Sequence, residues 1–432
     1  MTDTSATIST EIATGAATPT QKRVFWAAWS GWMLDGFDLS IYFFVLVPAL
    51  TELLRLEGLE PNRANIALYG GYLFTAFMVG WASSMFWGWL ADRIGRVKVM
   101  CLTILTYSIF TALCGFATGL LMFAIFRFLS GFGVGGEWAA GTPLLQESIP
   151  ERVRAKWSGW LHTAIPAGMI LAALASLLLP IIGWRGMFFI GVLPAFLTIY
   201  LRMNIPEPEA WQRKRDDPNK MRVRDLFAGA AARNTWSAAL MMSCIILGIW
   251  SSTFWVPTLI ISKMTEIGRP MAEAQRWASL SGILANIGTL IACFAMPYIA
   301  NFIGSRRATA ATFFVGAFVT NVAAYIGFVS WANDIYLFLY TIPILGFFTN
   351  GIFALYTMWL PEMFPTSQRA FGSGFAFSFG RLLGAIGPTI IGLIVVYTGS
   401  YPVAIAIVSV IYLIGLPAIL MAPETANKPL PA

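Results

Sequence analysis

The sequence is poor in charge, with 28 basic and 21 acidic residues among 432, so that charged residues make up 11% of the chain. A soluble protein carries roughly a quarter of its residues as charges. Hydrophobic residues reach 57%, and the mean hydropathy is +0.70. This balance excludes a soluble enzyme, a nucleic-acid-binding protein and a secreted disulfide scaffold. It indicates a protein whose solvent is the lipid bilayer.

Cysteine and histidine are scarce as well, with four cysteines and one histidine. The cysteines lie inside apolar runs without a CxxC spacing, so the sequence predicts neither a zinc site nor a disulfide framework. We expect no metal and no cofactor. Residues 1–23 lack the apolar core of a signal peptide and are predicted to form a disordered cytoplasmic tail.

The apolar residues are gathered into twelve segments. Because 57% of 432 is about 246 residues, the chain holds enough apolar residues for roughly twelve spans of about 20 residues. The predicted segments are 24–50, 64–91, 97–117, 119–146, 157–182, 185–203, 234–262, 275–303, 308–331, 334–360, 370–397 and 401–422. We therefore predict an all-α integral membrane protein with twelve transmembrane helices.

The loop charges predict the orientation. With the N-terminus inside, 20 Lys and Arg residues lie on the cytoplasmic side and six lie outside. Basic residues favour the cytoplasmic side of a membrane protein. We expect a multi-pass protein of the cell (plasma or inner) membrane, with both termini cytoplasmic.

A polar stretch divides the chain. Residues 204–233 are predicted to be a cytoplasmic linker between an N-terminal six-helix half, 24–203, and a C-terminal half, 234–422, with 423–432 as a cytoplasmic tail. A repeated pattern, ExxPxxxRA, begins at Glu147 and again 215 residues later at Glu362.

A second repeat supports the same division. The segment GWLADRIGRVK at 88–98 aligns with PYIANFIGSRR at 297–307, where Asn301 replaces the acid Asp92. Two parallel halves are typical of transporters that rock around a central cavity. The fold class predicted is therefore two pseudo-symmetric six-helix halves around a central cavity.

Five motifs in chain order resemble the major facilitator superfamily and cover both halves. They are GWLADRIGRVK at 88–98, RFLSGFGVGGEW at 127–138, IPEPEAW at 205–211, PEMFPTSQRA at 361–370 and GRLLGAIGP at 380–388. Within the superfamily, DGFD at 35–38 and GVGGEWAAG at 133–141 are similar to the sialate, lactate and aromatic-acid proton symporters. The resemblance implies a proton-coupled carrier of an organic acid.

Two acids lie deep in the first span. Asp35 and Asp38 are about 17 and 21 Å from its cytoplasmic end, and their spacing places them on one helix face. Charge at that depth is costly and usually functional. Repulsion between two carboxylates favours protonation of one, and the resembling symporters use this motif for coupling. A static buried ion pair or a hydrogen bond to the backbone is the alternative.

A cation and a third acid lie in the fourth span. Arg127 is at the depth of Asp38, and the resemblance places helices 1 and 4 along the cavity, so we expect Arg127 to pair with Asp35 or Asp38. Protonation of that acid would release Arg127 to bind an anion, whereas a permanent structural pair is the alternative. Glu137 is either a second proton site or a hydrogen bonder on a packing face. Which acid titrates is left open.

Arg381 lies about 11 residues into the eleventh span, with no acid on its own helix. An uncompensated cation in a cavity suits a carboxylate substrate, which it can bind in bidentate fashion. In the resembling organic-anion carriers an arginine at this position contributes to substrate binding. Pairing with Glu137 or a backbone carbonyl is the alternative.

Three further residues are weaker candidates. His162 could relay protons near physiological pH, or simply be hydrogen-bonded at its helix end. Trp138 and Asn350 are candidate cavity walls, although ordinary packing explains such residues as well.

Charged residues recur at the cytoplasmic ends of the spans. In the resembling fold they form ion pairs that close the inside, although they also satisfy the positive-inside rule. Because Asn301 replaces an acid, the gate of the second half is expected to be weaker. The predicted gate residues are Asp92, Arg93, Arg96, Glu147, Arg154, Glu362 and Arg369.

These residues predict a secondary transporter, not an enzyme, that takes up a small organic anion with a proton by alternating access. Its partners would be the anion, the proton and the lipid bilayer, with no nucleic acid, and it would act as a monomer driven by the proton gradient. Alternatives are a sugar or metabolite carrier, a drug exporter, or a membrane sensor that does not transport. The short tails disfavour the sensor, and the two intramembrane arginines favour an anion.

Overall fold

A computed structural model describes residues 19–148, 157, 160–203, 226–364, 369–426 and 428. Every regular element in these ranges is a helix. In a bilayer the backbone hydrogen bonds must be made within the protein, which helices do locally.

The helices of the N-terminal half are as follows. They are α1 Pro19–Leu56, α2 Arg63–Trp81, α3 Ser84–Ile94, α4 Arg96–Cys114, α5 Leu120–Ser148, α6 Ala164–Ala175 and α7 Leu179–Met203, with a 3₁₀ turn at Ser176–Leu178.

The C-terminal half continues the pattern. Its helices are α8 Gly229–Ser252, α9 Val256–Glu266, α10 Met271–Ile303, α11 Arg306–Val322, α12 Ile335–Thr349, α13 Ile352–Glu362, α14 Arg369–Gly384, α15 Gly387–Thr398, α16 Tyr401–Ser409, α17 Ile411–Ile414 and α18 Leu416–Met421, with a π-helical stretch at Ala323–Trp331.

The described residues contain ten apolar helical runs long enough to cross a membrane, and a shorter one at Leu120–Gly136. The run Trp160–Val192 turns at Gly183, whose φ of 69° is the left-handed conformation that glycine tolerates. The described residues thus show ten such runs and the shorter one, whereas twelve spans were predicted.

Two predicted boundaries differ from the structure. Helix α1 begins at Pro19, within the segment predicted to be tail; proline suits the first turn of a helix because its missing N–H is not needed there. Helix α8 begins at Gly229, within the segment predicted to be linker.

The two halves pack closely at the end of the bundle predicted to face outward, called the outer end below. Glycines allow this approach: a Cβ on Gly71 would lie 2.7 Å from the carbonyl oxygen of Pro388, and one on Gly392 would lie 2.5 Å from that of Ala67. Small residues at such positions bring helix backbones together. The hydroxyl of Thr75 also donates to the carbonyl of Ala385 at 2.6 Å.

Polar groups add to this contact. Arg63, at the start of α2, forms an ion pair with Glu266 at the end of α9 and donates to the carbonyl of Gly399 at 3.0 Å. The Ser176 and Ser279 hydroxyls, one from each half, are 2.6 Å apart. The outer end is therefore sealed in this conformation.

Candidate functional site

Asp38 is the centre of a buried cluster built by three helices of the N-terminal half. Its side chain is 1% exposed. Thr111 on α4 donates to Oδ1 at 2.6 Å, and Ser130 on α5 donates to Oδ2 at 3.2 Å. The two hydroxyls lie 2.9 Å apart. The carboxylate is thus held by hydroxyl groups that could also accept a hydrogen bond from its protonated form.

Arg127 does not form the ion pair predicted from the sequence. Its guanidinium is fully buried between two rings, with Cζ 4.6 Å from the Tyr42 centroid and 4.3 Å from the Phe77 centroid. Stacking of this kind stabilises a buried cation by about 2 kcal/mol. Within the described residues its nitrogens have no hydrogen-bond acceptor and no acidic oxygen within 4 Å. Asp38 still acts on it electrostatically.

Arg381 joins the two halves. From α14 it donates through Nη1 to the Ser84 hydroxyl of α3 at 3.0 Å, and its Cζ lies 4.4 Å from the Trp81 ring centroid. Asp35 on α1 is buried and provides the favourable charge interaction on this guanidinium. An acid of the other half therefore acts on this cation, and the role of Arg381 in substrate binding stays a prediction.

A small cavity of about 50 Å³ lies between the halves. Asn350 lines it next to Phe43 and Trp250, and its role in substrate binding stays a prediction. Neither arginine is among its lining residues. The ring of Trp250, which lines the cavity, has its centroid 6.3 Å from that of Trp81, the ring on which the Arg381 guanidinium stacks.

Sequence reasoning missed two residues of the cavity wall, Ser40 and Asn286. Asn286 is 6% exposed and Ser40 is 2% exposed. Both are polar residues inside long apolar helices, which was the available signal, because burying such groups has a cost that only a partner offsets.

His162 connects the halves near the end of the bundle predicted to be cytoplasmic. Its Nε2 lies 2.9 Å from the hydroxyl of Thr357. Because that hydroxyl already donates to the Phe353 carbonyl at 2.8 Å, the imidazole must be the donor. The ring also packs edge-on against Trp32, with centroids 5.5 Å apart. These contacts describe a histidine hydrogen-bonded between helices, and its relay role stays a prediction.

Several predicted residues fall outside what the structure describes. No side-chain placement is described for Glu137, Trp138, Glu147, Asp92, Arg96 and Arg369, and Arg154 is outside the described residues altogether. Of the remaining gate residues, Arg93 stacks on Trp89, with Cζ 4.0 Å from the ring centroid.

Glu362 forms a bidentate ion pair with Arg306. Nε and Nη2 of the arginine donate to its two carboxylate oxygens at 3.1 and 3.0 Å. Bidentate pairs of this type are among the stronger charged contacts. The hydroxyl of Thr425 donates to the same carboxylate at 2.6 Å. The tail residue thus extends the pair between α13 and α11.

Glu424, which sequence reasoning missed, lies at the N-terminus of α11. It accepts from the Ser305 hydroxyl at 2.5 Å, and from the backbone N–H groups of Arg306 and Arg307 at 2.9 and 3.2 Å. A carboxylate at a helix N-terminus satisfies unpaired donors and complements the helix dipole. An acid from the tail thus occupies the loop in which Asn301 replaces the acid, and the weaker gate of the second half stays a prediction.

The protonation of Glu424 reflects these contacts. Burial raises its pKa, but the hydrogen bonds from Ser305 and from backbone N–H groups outweigh burial and lower the pKa of Glu424 from 4.5 to about 2. A carboxylate whose pKa is lowered on folding stabilises the protein above its ordinary pKa. That stabilisation is lost as the pH falls through the folded value.

Glu424→Gln is therefore expected to lower the melting temperature of the purified protein at pH 7, with a loss of about 1 kcal/mol typical of a helix cap. The difference from wild type should shrink as the pH falls from 4.5 toward 2. Glu60→Gln, in an exposed loop, is the control and should melt like wild type at each pH. Equal melting of Glu424→Gln at pH 7, or a difference that grows in acid, would contradict this role.

An all-helical bundle of apolar helices, with opposite charges buried between its two halves, has the architecture of a membrane transporter. The sequence profile described as "Major Facilitator Superfamily" matches residues 28–331, well over half of the chain. The protein belongs to the major facilitator superfamily. It is a transporter and not an enzyme.

Named relatives are similar along most of their length. A sialic acid transporter of Escherichia coli (strain K12) is 28% identical over 384 residues, covering 88% of this chain and 89% of the relative. A cis,cis-muconate transport protein of Acinetobacter baylyi is 27% identical over 382 residues, covering 86% and 87%. The relatives thus include transporters of organic acids.

A solved structure shows the same fold. The crystal structure of a D-xylose-proton symporter superposes with a TM-score of 0.72, covering 95% of this chain and all of that one at 17% identity. At this identity the likeness establishes the fold alone.

Proposed function

We propose that the protein takes up a small organic acid anion together with a proton, by alternating access. The observation that carries the proposal is Arg127: it is a fully buried guanidinium whose nitrogens have no acceptor within the described part of the chain. A buried cation without acceptors is costly, and an anionic carboxylate would relieve that cost. The transport of organic acids by similar proteins supports the same class of substrate.

The charge balance supports coupling to a proton. The predicted intramembrane charges are three acids, Asp35, Asp38 and Glu137, against two arginines. The empty set carries one net negative charge, and a proton bound together with the anion leaves that charge unchanged, so the proton offsets the charge that the anion brings into the membrane. Asp38 is our choice for the proton site, because its hydroxyl partners suit both protonation states.

The substrate would bind through Arg381 and Arg127. Arg381 is shared between the halves through Asp35 and Ser84, so an anion that competes for this guanidinium would alter how the halves are held together. Release of Asp35 from Arg381 would in turn make Asp35 a second acceptor for the proton.

The present conformation is contracted. Its cavity of about 50 Å³ is far below the roughly 300–1,000 Å³ of small-molecule sites, so the site must widen to admit an acid. Opening to the outside requires the Arg63–Glu266 ion pair and the glycine contacts of the outer end to separate. The loop charges support cytoplasmic termini and a plasma-membrane location, as proposed from the sequence.

The test is uptake into proteoliposomes with an inward proton gradient. Labelled lactate, sialate, benzoate and cis,cis-muconate serve as acids, xylose as the neutral compound, and protein-free liposomes as the control for passive diffusion. We expect at least one acid, but not xylose, to accumulate above the protein-free level only while the gradient lasts. Uptake of xylose without any acid would overturn the anion assignment; binding without any counterflow would identify a sensor.

A further inference from the structure

Three polar side chains with unused hydrogen-bonding atoms meet at the central cavity. Ser40 comes from α1, Asn286 from α10 and Asn350 from the end of α12, and all three line the cavity. Within the described ranges, the Ser40 hydroxyl and the Oδ1 atoms of both asparagines have no hydrogen-bond partner. Buried polar atoms normally have a hydrogen-bond partner, so three such atoms without one around a single small cavity point to a ligand.

The amide orientations are set by neighbouring groups. Asn286 donates through Nδ2 to the carbonyl of Gly282 at 2.8 Å, and a carbonyl can only accept. Asn350 donates through Nδ2 to the Thr289 hydroxyl at 3.2 Å, whose own hydrogen goes to the Ala285 carbonyl at 3.0 Å. Both Oδ1 atoms are therefore acceptors that still need a donor.

Ser40 differs from its neighbour in the same wall. Serine in a helix commonly donates to a carbonyl one turn back, as Ser281 does to Ala278 at 2.6 Å. Ser40 makes no such bond in the part of the chain that is described. Its hydroxyl can accept from a ligand or donate to one.

The rest of the wall is apolar and largely aromatic. Phe43, Phe44 and Trp250 face the cavity together with Met169. Phe43 and Trp250 pack edge to face, with centroids 6.0 Å apart. A compact or flat apolar body fits such a wall, whereas a fully hydroxylated chain would leave polar groups unpaired against it.

We propose that Asn286 and Asn350, assisted by Ser40, recognise a hydrogen-bond donor on the transported acid. The substrate is then a carboxylate with a compact or planar apolar body that carries a hydroxyl or N–H group. This inference rests on the proposed function, with the carboxylate at the arginines. A hydrogen bond to a neutral buried acceptor strengthens binding by about 3- to 10-fold.

Asn321 carries a similar amide at a position away from the cavity. Asn321 on α11 is fully buried, donates through Nδ2 to the Ala317 carbonyl at 2.7 Å, and has an Oδ1 without a partner among the described residues. It does not line the cavity. It is therefore a matched control for the two asparagines that do.

The test compares acids that differ by one hydroxyl group. Dissociation constants of purified full-length protein are measured by calorimetry for 3-hydroxybenzoate against benzoate and for 4-hydroxyphenylacetate against phenylacetate, whose hydroxyl groups lie across the ring from the carboxylate side. We expect the hydroxylated member to bind about 3- to 10-fold more tightly in each pair that binds. Equal affinities within the pairs, or no binding by any of the four acids, would overturn the proposal.

Variants test whether the preference for hydroxylated acids arises from the cavity residues. Asn286→Leu and Asn350→Leu keep the side-chain size and should each reduce the preference for the hydroxylated acid, while the affinity for its deoxy analogue stays within about twofold. Asn321→Leu should keep the full preference. If both cavity variants retain it, the amides are not the recognition element. Should neither variant fold, the wild-type comparison alone decides.

Failure of this proposal is distinguishable from failure of the proposed function. Proton-driven uptake of an acid, together with equal affinities within the pairs, would leave the transport function standing and remove the donor preference. Absence of proton-driven uptake for every acid in the transport assay would remove both.

Discussion

Asp38→Asn is expected to abolish accumulation of the organic acid against its gradient while leaving exchange across the membrane measurable. The amide has the size of the carboxylate, and it can still accept from Thr111 and donate to Ser130, so the fold should be kept. What it loses is the ability to bind a proton. With one proton per anion, a gradient of one pH unit supports about tenfold accumulation, since a pH unit corresponds to about 1.4 kcal/mol.

The measurement is the steady-state ratio of labelled acid inside and outside proteoliposomes, together with counterflow at equal pH. Wild type should accumulate the acid, whereas Asp38→Asn should stop at a ratio near one with counterflow retained. Asp334→Asn is the control: Asp334 caps α12 in an exposed loop, and asparagine is an equally good cap. Gradient-driven accumulation by Asp38→Asn would show that another acid carries the proton.

Replacing Arg381 is expected to produce the second large effect. Arg381→Gln should weaken binding of the transported acid by at least about 30-fold, since losing one partner of a buried charged pair costs about 2–5 kcal/mol. It also leaves Asp35 without the charge that compensates it. Arg381→Lys keeps the charge but loses the planar guanidinium that can donate two parallel hydrogen bonds to a carboxylate. Its binding of the acid should be weakened by an intermediate amount.

Dissociation constants from stability shifts, with KM from uptake, check this result. Arg269→Gln removes an exposed arginine and should bind like wild type. If Arg381 binds the carboxylate, the affinity for the acid should be highest in wild type, lower in Arg381→Lys and lowest in Arg381→Gln. A residue that only joins the two halves would not give this order of affinities. Unchanged affinity in both Arg381 variants would place the carboxylate elsewhere in the protein.

The helices and the class of protein could be predicted from the sequence, because a bilayer demands long apolar segments and penalises charge within them. Asp38 and Arg127 stood out for the same reason. Their partners did not: Thr111 and Ser130 occupy the oxygens of Asp38, while Tyr42 and Phe77 enclose Arg127. Which neutral residue reaches a charge depends on how helices rotate against one another, and the apolar pattern does not encode that rotation.

Contacts between distant parts of the chain could not be predicted from the sequence for a second reason. Glu424 is about 120 residues from the loop that it caps, and no local pattern links the two. Asp35 and Arg381 were each identified, but their interaction across the halves was not. Asn286 gave a weak signal, because the sequence does not distinguish it from Asn321, an asparagine of another apolar helix that does not line this cavity.

The outer seal and the tail contacts place the charged residues in one conformational scheme. The Arg63–Glu266 pair and the packed glycines close the outer end here. The Glu362–Arg306 pair and Glu424 tie α11, α13 and the tail together within the C-terminal half at its other end. In our proposal, neutralisation of Asp38 and binding at Arg381 weaken the contacts between the halves, while contacts inside each half persist.

The most direct measurement is proton movement driven by the anion alone. Proteoliposomes that contain a pH-sensitive dye in a weakly buffered lumen receive the transported acid from outside, with equal pH and no membrane potential. The lumen should acidify faster than in protein-free liposomes, and Asp38→Asn should reduce the rate to that of the protein-free control. Uptake of the labelled acid by wild type without any added acidification would contradict proton-coupled uptake.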